Sequence, residues 1–237
     1  MRVPVLLYHK IDLPTADVKI RGAFTYPGKF ENQISYLKKK GFEFYTAGEL
    51  IKFYLINGEF PKKSVVVTFD DGWKDNYTNA FPILKKYGAK ATIFLVPACV
   101  GKTTDKVTAE GERSREHLSE NDILEMSESG VFEFASHSFN HKLFHQITDE
   151  EIEFEVTESK NFSENLTQKD CSVFAYPAGF FTDYAKNALR NAGYKAAFTT
   201  IYGAENNLDV FELNRIEILR RDGFPFRFGR KIRSIYE

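Results

Sequence analysis

The sequence predicts an α/β fold of parallel βαβ units, either layered or closed into a barrel. Three observations lead there. Short apolar runs alternate with helix-period segments along all 237 residues, the pattern of strand–helix–strand crossovers. No internal repeat, low-complexity tract or linker interrupts them, so residues 1–237 read as a single domain, long enough to bury a sizeable core. The apolar runs stop on polar residues, which suits a fold whose chemistry gathers at the carboxyl ends of its strands.

The elements follow in order. VPVLLYH, residues 3–9, is a continuous apolar run and predicts a buried strand. Lys10 to Tyr26 is polar and reads as a loop. Pro27 opens a helix with Phe30, Ile34 and Leu37 at helical spacing, stopped by Gly41. Phe42 to Thr46 is a strand candidate, Ala47 to Ile56 a short helix, and Asn57-Gly58 a turn. Ser64 to Phe69 predicts a strand delivering Asp70 and Asp71. Trp73, Tyr77, Phe81 and Leu84 then place a helix that ends near Gly88, and Ala91 to Val96 is the next strand. Residues 97–117 are too long and polar for a simple connector. Ser119 with Asp122 caps a helix running to Gly130. Phe132 to Ala135 leads into SHSFNH, and Thr148 with Glu151 forms a capping box for a helix to about Leu166. Ser172 to Tyr176, Lys195 to Thr200 and Arg215 to Leu219 complete the strands. Thr182 to Ala192 and the basic segment Pro225 to Tyr236 complete the helices.

Composition excludes several classes. Net charge is −1 with no long single-sign run, so there is no basic face for nucleic acid. The first apolar run is too short for a secretory leader or a membrane span. The chain as written reads as cytoplasmic; an exported protein trimmed of its leader gives the same reading. Cys99 and Cys171 have no CxxC neighbour and read as free thiols. The 23 Phe and 12 Tyr supply a bulky core and, in part, rings suited to a sugar groove.

The polar strand ends are few: His9, Asp70-Asp71, Ser136-His137 and Tyr176 to Gly179. His137 and His141, four apart, share a face if they lie on a helical turn. With one carboxylate they make a His-His-Asp set with open positions, suited to zinc or a similar divalent ion. Such an ion is the positive partner that two adjacent acids at a strand end require.

TFDDGWKDNY, SHSFNH and FAYPAG together resemble the polysaccharide deacetylases of the NodB-homology type, carbohydrate esterase family 4. The resemblance extends over nearly the whole chain, HLSENDILEMSESG included. It implies a distorted, incomplete (β/α)7 barrel. It also implies metal-dependent removal of N-acetyl groups from N-acetylated amino sugars of a glycan. Carried over by motif, Asp71, His137 and His141 bind the metal, with zinc first and cobalt or nickel as alternatives. Asp70 becomes the general base, and the backbone N–H of Ala178 donates to the oxyanion.

Two departures follow. The leucine-x-histidine motif that usually supplies the general acid is absent, since no histidine follows His145. His9 in LLYHK resembles the acid of a rearranged subgroup of poly-N-acetylglucosamine deacetylases, where it comes from the first strand. FAYPAG has Ala175 where many members carry the arginine that orients the base, and Ala178 where they carry tyrosine. Arg215 is the candidate replacement for that arginine. Trp73 and Tyr176 are expected to pack around the site, His145 to be no ligand, and His117 to have no role. The same residues leave other readings open: deacylation or deformylation of a small or lipid-linked amino sugar, or glycan binding without catalysis. Phosphoester hydrolysis usually needs two metals and more ligands than these strand ends offer.

Overall fold

The structure, a computed structural model, describes residues 3–14, 18, 22–103, 115–204, 209–223 and 225–236. Among these residues, eight strands form one sheet in the order β1-β8-β7-β6-β5-β4-β3-β2, every pairing in it parallel. They are β1 (Val5–Tyr8), β2 (Glu43–Tyr45), β3 (Ser64–Asp71), β4 (Ala91–Leu95), β5 (Phe132–Ser136), β6 (Val173–Ala175), β7 (Ala196–Tyr202) and β8 (Leu213–Glu217). β1 also pairs with β3, from Val5↔Val66 to Tyr8↔Phe69, so seven strands close a ring and β2 lies outside it on β3. The ring is irregular. β5 and β6 share a single register pair, Ser136↔Phe174, and β7 slips against β8 between Phe198 and Tyr202. The expected distorted barrel is therefore present, with seven strands in the ring.

Among the described residues, six α-helices connect strands, α1 (Pro27–Lys39), α2 (Ala47–Asn57), α3 (Phe81–Tyr87), α4 (Glu120–Glu128), α5 (Asp149–Thr167) and α6 (Asp183–Asn191), and α7 (Pro225–Tyr236) follows β8. Reciprocal capping boxes start α2 (Thr46 with Glu49), α4 (Ser119 with Asp122) and α5 (Thr148 with Glu151). Phe30, Ile34 and Leu37 of α1 pack against Leu6, Tyr8, Val67 and Phe69 of the ring, and these side chains are buried. No helix among the described residues is long and apolar enough to cross a membrane.

Three expectations need correction. The helix expected from Trp73 begins later: Asn76–Ala80 is a π-helical turn, and α3 follows. Pro82 has no N–H for the Thr78 carbonyl, and the widened turn accommodates that missing bond. β8 starts at Leu213 instead of Arg215. A charged residue inside a buried strand masks the run when its partner is remote in sequence. The turn through SHSFNH is not helical: Ser138 and His141 have φ of 60° and 59°. Of the 97–117 loop, residues 104–114 lie outside the described residues.

Candidate active site and metal centre

Successive side chains of a strand point to opposite faces. Asp70 and Asp71 should therefore diverge. They do not, because Asp71 takes a left-handed φ of 74°, and Gly72 follows at 72°. For a non-glycine residue that conformation costs about 1 kcal/mol or more. It turns the second carboxylate back to the carboxyl end of the ring, beside the first.

The two acids have different partners. Asp70, 2% exposed, is gripped by Arg215 through two parallel bonds, Nη1 to Oδ1 at 2.7 Å and Nη2 to Oδ2 at 2.8 Å. Arg215 comes from β8 and is fully buried; its Nε donates to the Thr199 carbonyl at 2.9 Å. Burial works against ionisation of Asp70, but the charge and hydrogen bonds of Arg215, with the nearby His137 and His9, together outweigh it and hold the carboxyl below its usual range.

Asp71 faces the histidines. Its Oδ1 lies 3.7 Å from His137 Nε2 and 3.5 Å from His141 Nε2, and its Oδ2 accepts the Trp73 indole N–H at 3.0 Å. Burial opposes its charge as well. His141, His9, His137 and the Trp73 bond outweigh that and hold Asp71 below the carboxylate range. His137 is buried at the end of β5, and its Nδ1–H donates to the Ala175 carbonyl at 2.7 Å. That bond fixes the tautomer and leaves the Nε2 lone pair facing Asp71. Burial lowers the His137 pKa to about 4, so the ring is neutral over the physiological range.

Among the described residues, Asp71, His137 and His141 form the one group whose donor atoms lie within 4.8 Å of one another. One carboxylate and two imidazoles, one with a tautomer set by a backbone carbonyl, fit a divalent ion with open positions. The convergence does not come from helical spacing. It comes from the left-handed residues Ser138 and His141, which curl the chain so that the two rings meet edge to face at 4.9 Å.

His9 follows β1, next to β3 in the ring, and its charge acts on both Asp70 and Asp71. Its loop is held from the segment after β3. Asn76 Nδ2 donates to the His9 carbonyl at 3.0 Å, the Ile11 N–H donates to Asp75 at 2.7 Å, and Asn79 Nδ2 donates to the Ile11 carbonyl at 2.8 Å. Ala178 is exposed just beyond β6 with φ of 53°. Gly179 beside it cannot gain a side chain, since a Cβ there would lie 2.5 Å from the Thr200 backbone nitrogen.

Sequence reasoning placed Trp73 beside the site but missed Lys10, His117 and Glu155. The Trp73 ring is stacked on His117 at 4.1 Å, while Lys10 Nζ lies 4.2 Å from the Trp73 ring centre. His117, expected to have no role, is buried and packs the residue that bonds Asp71. Glu155 of α5 holds the ligand loop at Asn140. No local motif marks these residues, because each acts across a long sequence separation. Tyr176 is core, its hydroxyl donating to the Phe211 carbonyl at 3.1 Å. His145 is exposed, outside the donor group, its ring packed edge to face on Phe180 with centres 4.8 Å apart.

Comparisons with known proteins give the family and the fold. The chain aligns over its full length with the deacetylase PplD of Streptococcus pyogenes, whose structure was solved with acetate (28% identity, 99% of that chain, TM-score 0.82). The polysaccharide deacetylase BC0361 of Bacillus cereus matches over 98% of this chain and 69% of its own, with 29% identity and a TM-score of 0.80. The poly-beta-1,6-N-acetyl-D-glucosamine N-deacetylase of Staphylococcus aureus (strain MSSA476) is 30% identical over 179 residues. That match covers 72% of this chain and 59% of the relative. Residues 57–197, which hold Asp70, Asp71, His137, His141 and Ala178, match the family model for polysaccharide deacetylase. On that match, and on the site those residues build, the chain belongs to the polysaccharide deacetylase family.

Proposed function

We propose that the chain hydrolyses the acetamide of N-acetylated amino sugars in a polysaccharide, using one divalent ion held by Asp71, His137 and His141. The observation that carries the reading is the division of the acid pair. Arg215 holds one carboxylate, and the other sits between two imidazoles. Zinc suits these donors best, and cobalt and nickel accept the same set. When bound, the ion supplies Lewis acidity to the acyl oxygen and the attacking water.

This chain's residues do the rest. Asp70, kept ionised by Arg215, takes a proton from the attacking water as its oxygen bonds to the acyl carbon. The backbone N–H of Ala178, an exposed residue, donates to the developing oxyanion; one such donor is worth about a hundredfold or more in rate. His9 delivers a proton to the sugar nitrogen as the C–N bond breaks, releasing acetate and a free amine. Arg215 is a positioning residue, because it acts through Asp70.

Acetate release from metal-loaded protein with N-acetylglucosamine oligomers tests this, beside Asp70→Asn and His9→Ala. Release that needs both side chains is expected. No release from wild type with one equivalent of metal bound overturns acetyl hydrolysis on this substrate. Release that persists in His9→Ala removes His9 as the acid.

A further inference from the structure

The two histidines of the metal centre are held by different means. His137 is fixed at its ring and its backbone: Nδ1 bonds the Ala175 carbonyl at 2.7 Å, and its N–H bonds the Leu95 carbonyl at 2.7 Å. For His141, 41% exposed at its side chain, the described residues offer the ring no such bond. It stands at φ of 59° in a stretch without helix or ladder, between the end of β5 at Ser136 and a short helical turn at Phe144.

Its support is one residue away. The carboxylate of Glu155, 0% exposed on α5, accepts the Asn140 backbone N–H at 2.6 Å and the Asn140 side-chain Nδ2–H at 2.8 Å. One turn earlier on the same helix, Glu151 pairs with Lys142 at 2.8 Å. α5 thus grips the residues on both sides of His141. A fully buried carboxylate is costly unless it is well bonded, and the bonds here are spent on an exposed loop residue between two metal ligands.

We infer that Glu155 is a positioning residue for the metal centre: through Asn140 it holds the left-handed turn that brings His141 to Asp71 and His137. The inference rests on the metal site proposed above, not on the identity of the substrate. Outer partners of metal ligands commonly tune affinity or activity by about 10- to 100-fold when altered. Glu155 would do so one step further back, through the backbone.

The test is metal affinity in the absence of substrate. Metal-free wild type, Glu155→Gln and Asn140→Ala are titrated with zinc against a competing chelator, and thermal melts are taken without metal. Glu155→Gln keeps the shape but loses one of two acceptor oxygens. Asn140→Ala alters an exposed residue and leaves the backbone bond, so it guards against a misfolded Glu155 variant. About 10- to 100-fold weaker zinc binding is expected for Glu155→Gln, with a smaller loss for Asn140→Ala. Cobalt-loaded Glu155→Gln should show an altered visible ligand-field spectrum. At saturating metal its kcat should recover toward wild type with KM little changed. Wild-type affinity and an unaltered cobalt spectrum in both variants, even with a lowered melting temperature, overturn the inference and leave Glu155 a structural residue. Because no substrate is used in the titration, failure of the acetyl-hydrolysis reading cannot imitate that result.

Discussion

Arg215 and Asp70 lie 145 positions apart in sequence, yet they meet inside the ring as a two-pronged ion pair at 2.7 and 2.8 Å, both buried. On the proposed mechanism, the pair keeps the base ionised without the arginine that FAYPAG lacks. Removing one partner leaves the other charged and unpaired in a buried place. Arg215→Met should therefore cost about 3–5 kcal/mol in urea unfolding, and the double variant Asp70→Asn/Arg215→Met should recover part of it. Burial would then act on Asp70 without its main opposing charge, so the acid limb of kcat/KM in any surviving Arg215→Met enzyme should move to higher pH.

His9 matters in proportion to how poor the leaving group is. An amine must be protonated as it departs; a phenolate need not be. His9→Ala should lower release from N-acetyl oligomers by about 10²- to 10⁴-fold, while hydrolysis of an aryl acetate by the same metal-loaded protein falls far less. Equal losses on both substrates would assign His9 to something other than proton delivery.

Ion binding should be visible as stability. A ligand at 100 times its Kd adds about 2.7 kcal/mol, so zinc should raise the melting temperature of wild type. His141→Ala should remove that rise and leave the metal-free melt nearly unchanged, since the ring is half exposed. His137→Ala, at a buried position, should lose both the rise and part of the basal stability.

Ala178 occupies a left-handed conformation that favours glycine, φ 53°. Ala178→Gly keeps the N–H and relieves that strain. It should raise stability by up to roughly 1 kcal/mol and hold kcat within a few-fold. A rate loss near a hundredfold, in a protein of unchanged melting temperature, would show that the methyl group itself helps seat the substrate.

Acid should weaken the start of α4. Burial raises the Asp122 carboxyl, but Lys74 at 2.6 Å and the Ser119 hydroxyl and N–H outweigh it, so its folded pKa lies below the unfolded value. A depressed acid contributes stability above its unfolded pKa, about 3.9, and loses it as pH falls through the folded one. Asp122→Asn should be less stable than wild type by about 1 kcal/mol at pH 7, and urea melts should show the gap closing below about pH 4.

Much of this protein is legible in one dimension. Strand–helix alternation implied a parallel α/β fold, layered or barrel, and the capping boxes at Ser119 and Thr148 marked helix starts. TFDDG with SHSFNH identified Asp71, His137 and His141 as one set before any contact was known. Such features are local: each depends on residues a few positions apart, whose spacing carries the geometry. What only the tertiary structure decided is remote or conformational. Closure of β1 onto both β3 and β8 sets His9 beside the acid pair and lets Arg215 reach Asp70. Left-handed backbone at Asp71, Ser138 and His141 turns side chains that strand and helix periodicity would send elsewhere. His117 and Glu155 support the candidate site through contacts that no spacing announces. The physical reason is the same throughout: periodicity records which face a residue takes within its own element, while a site at the end of a ring is assembled from many elements.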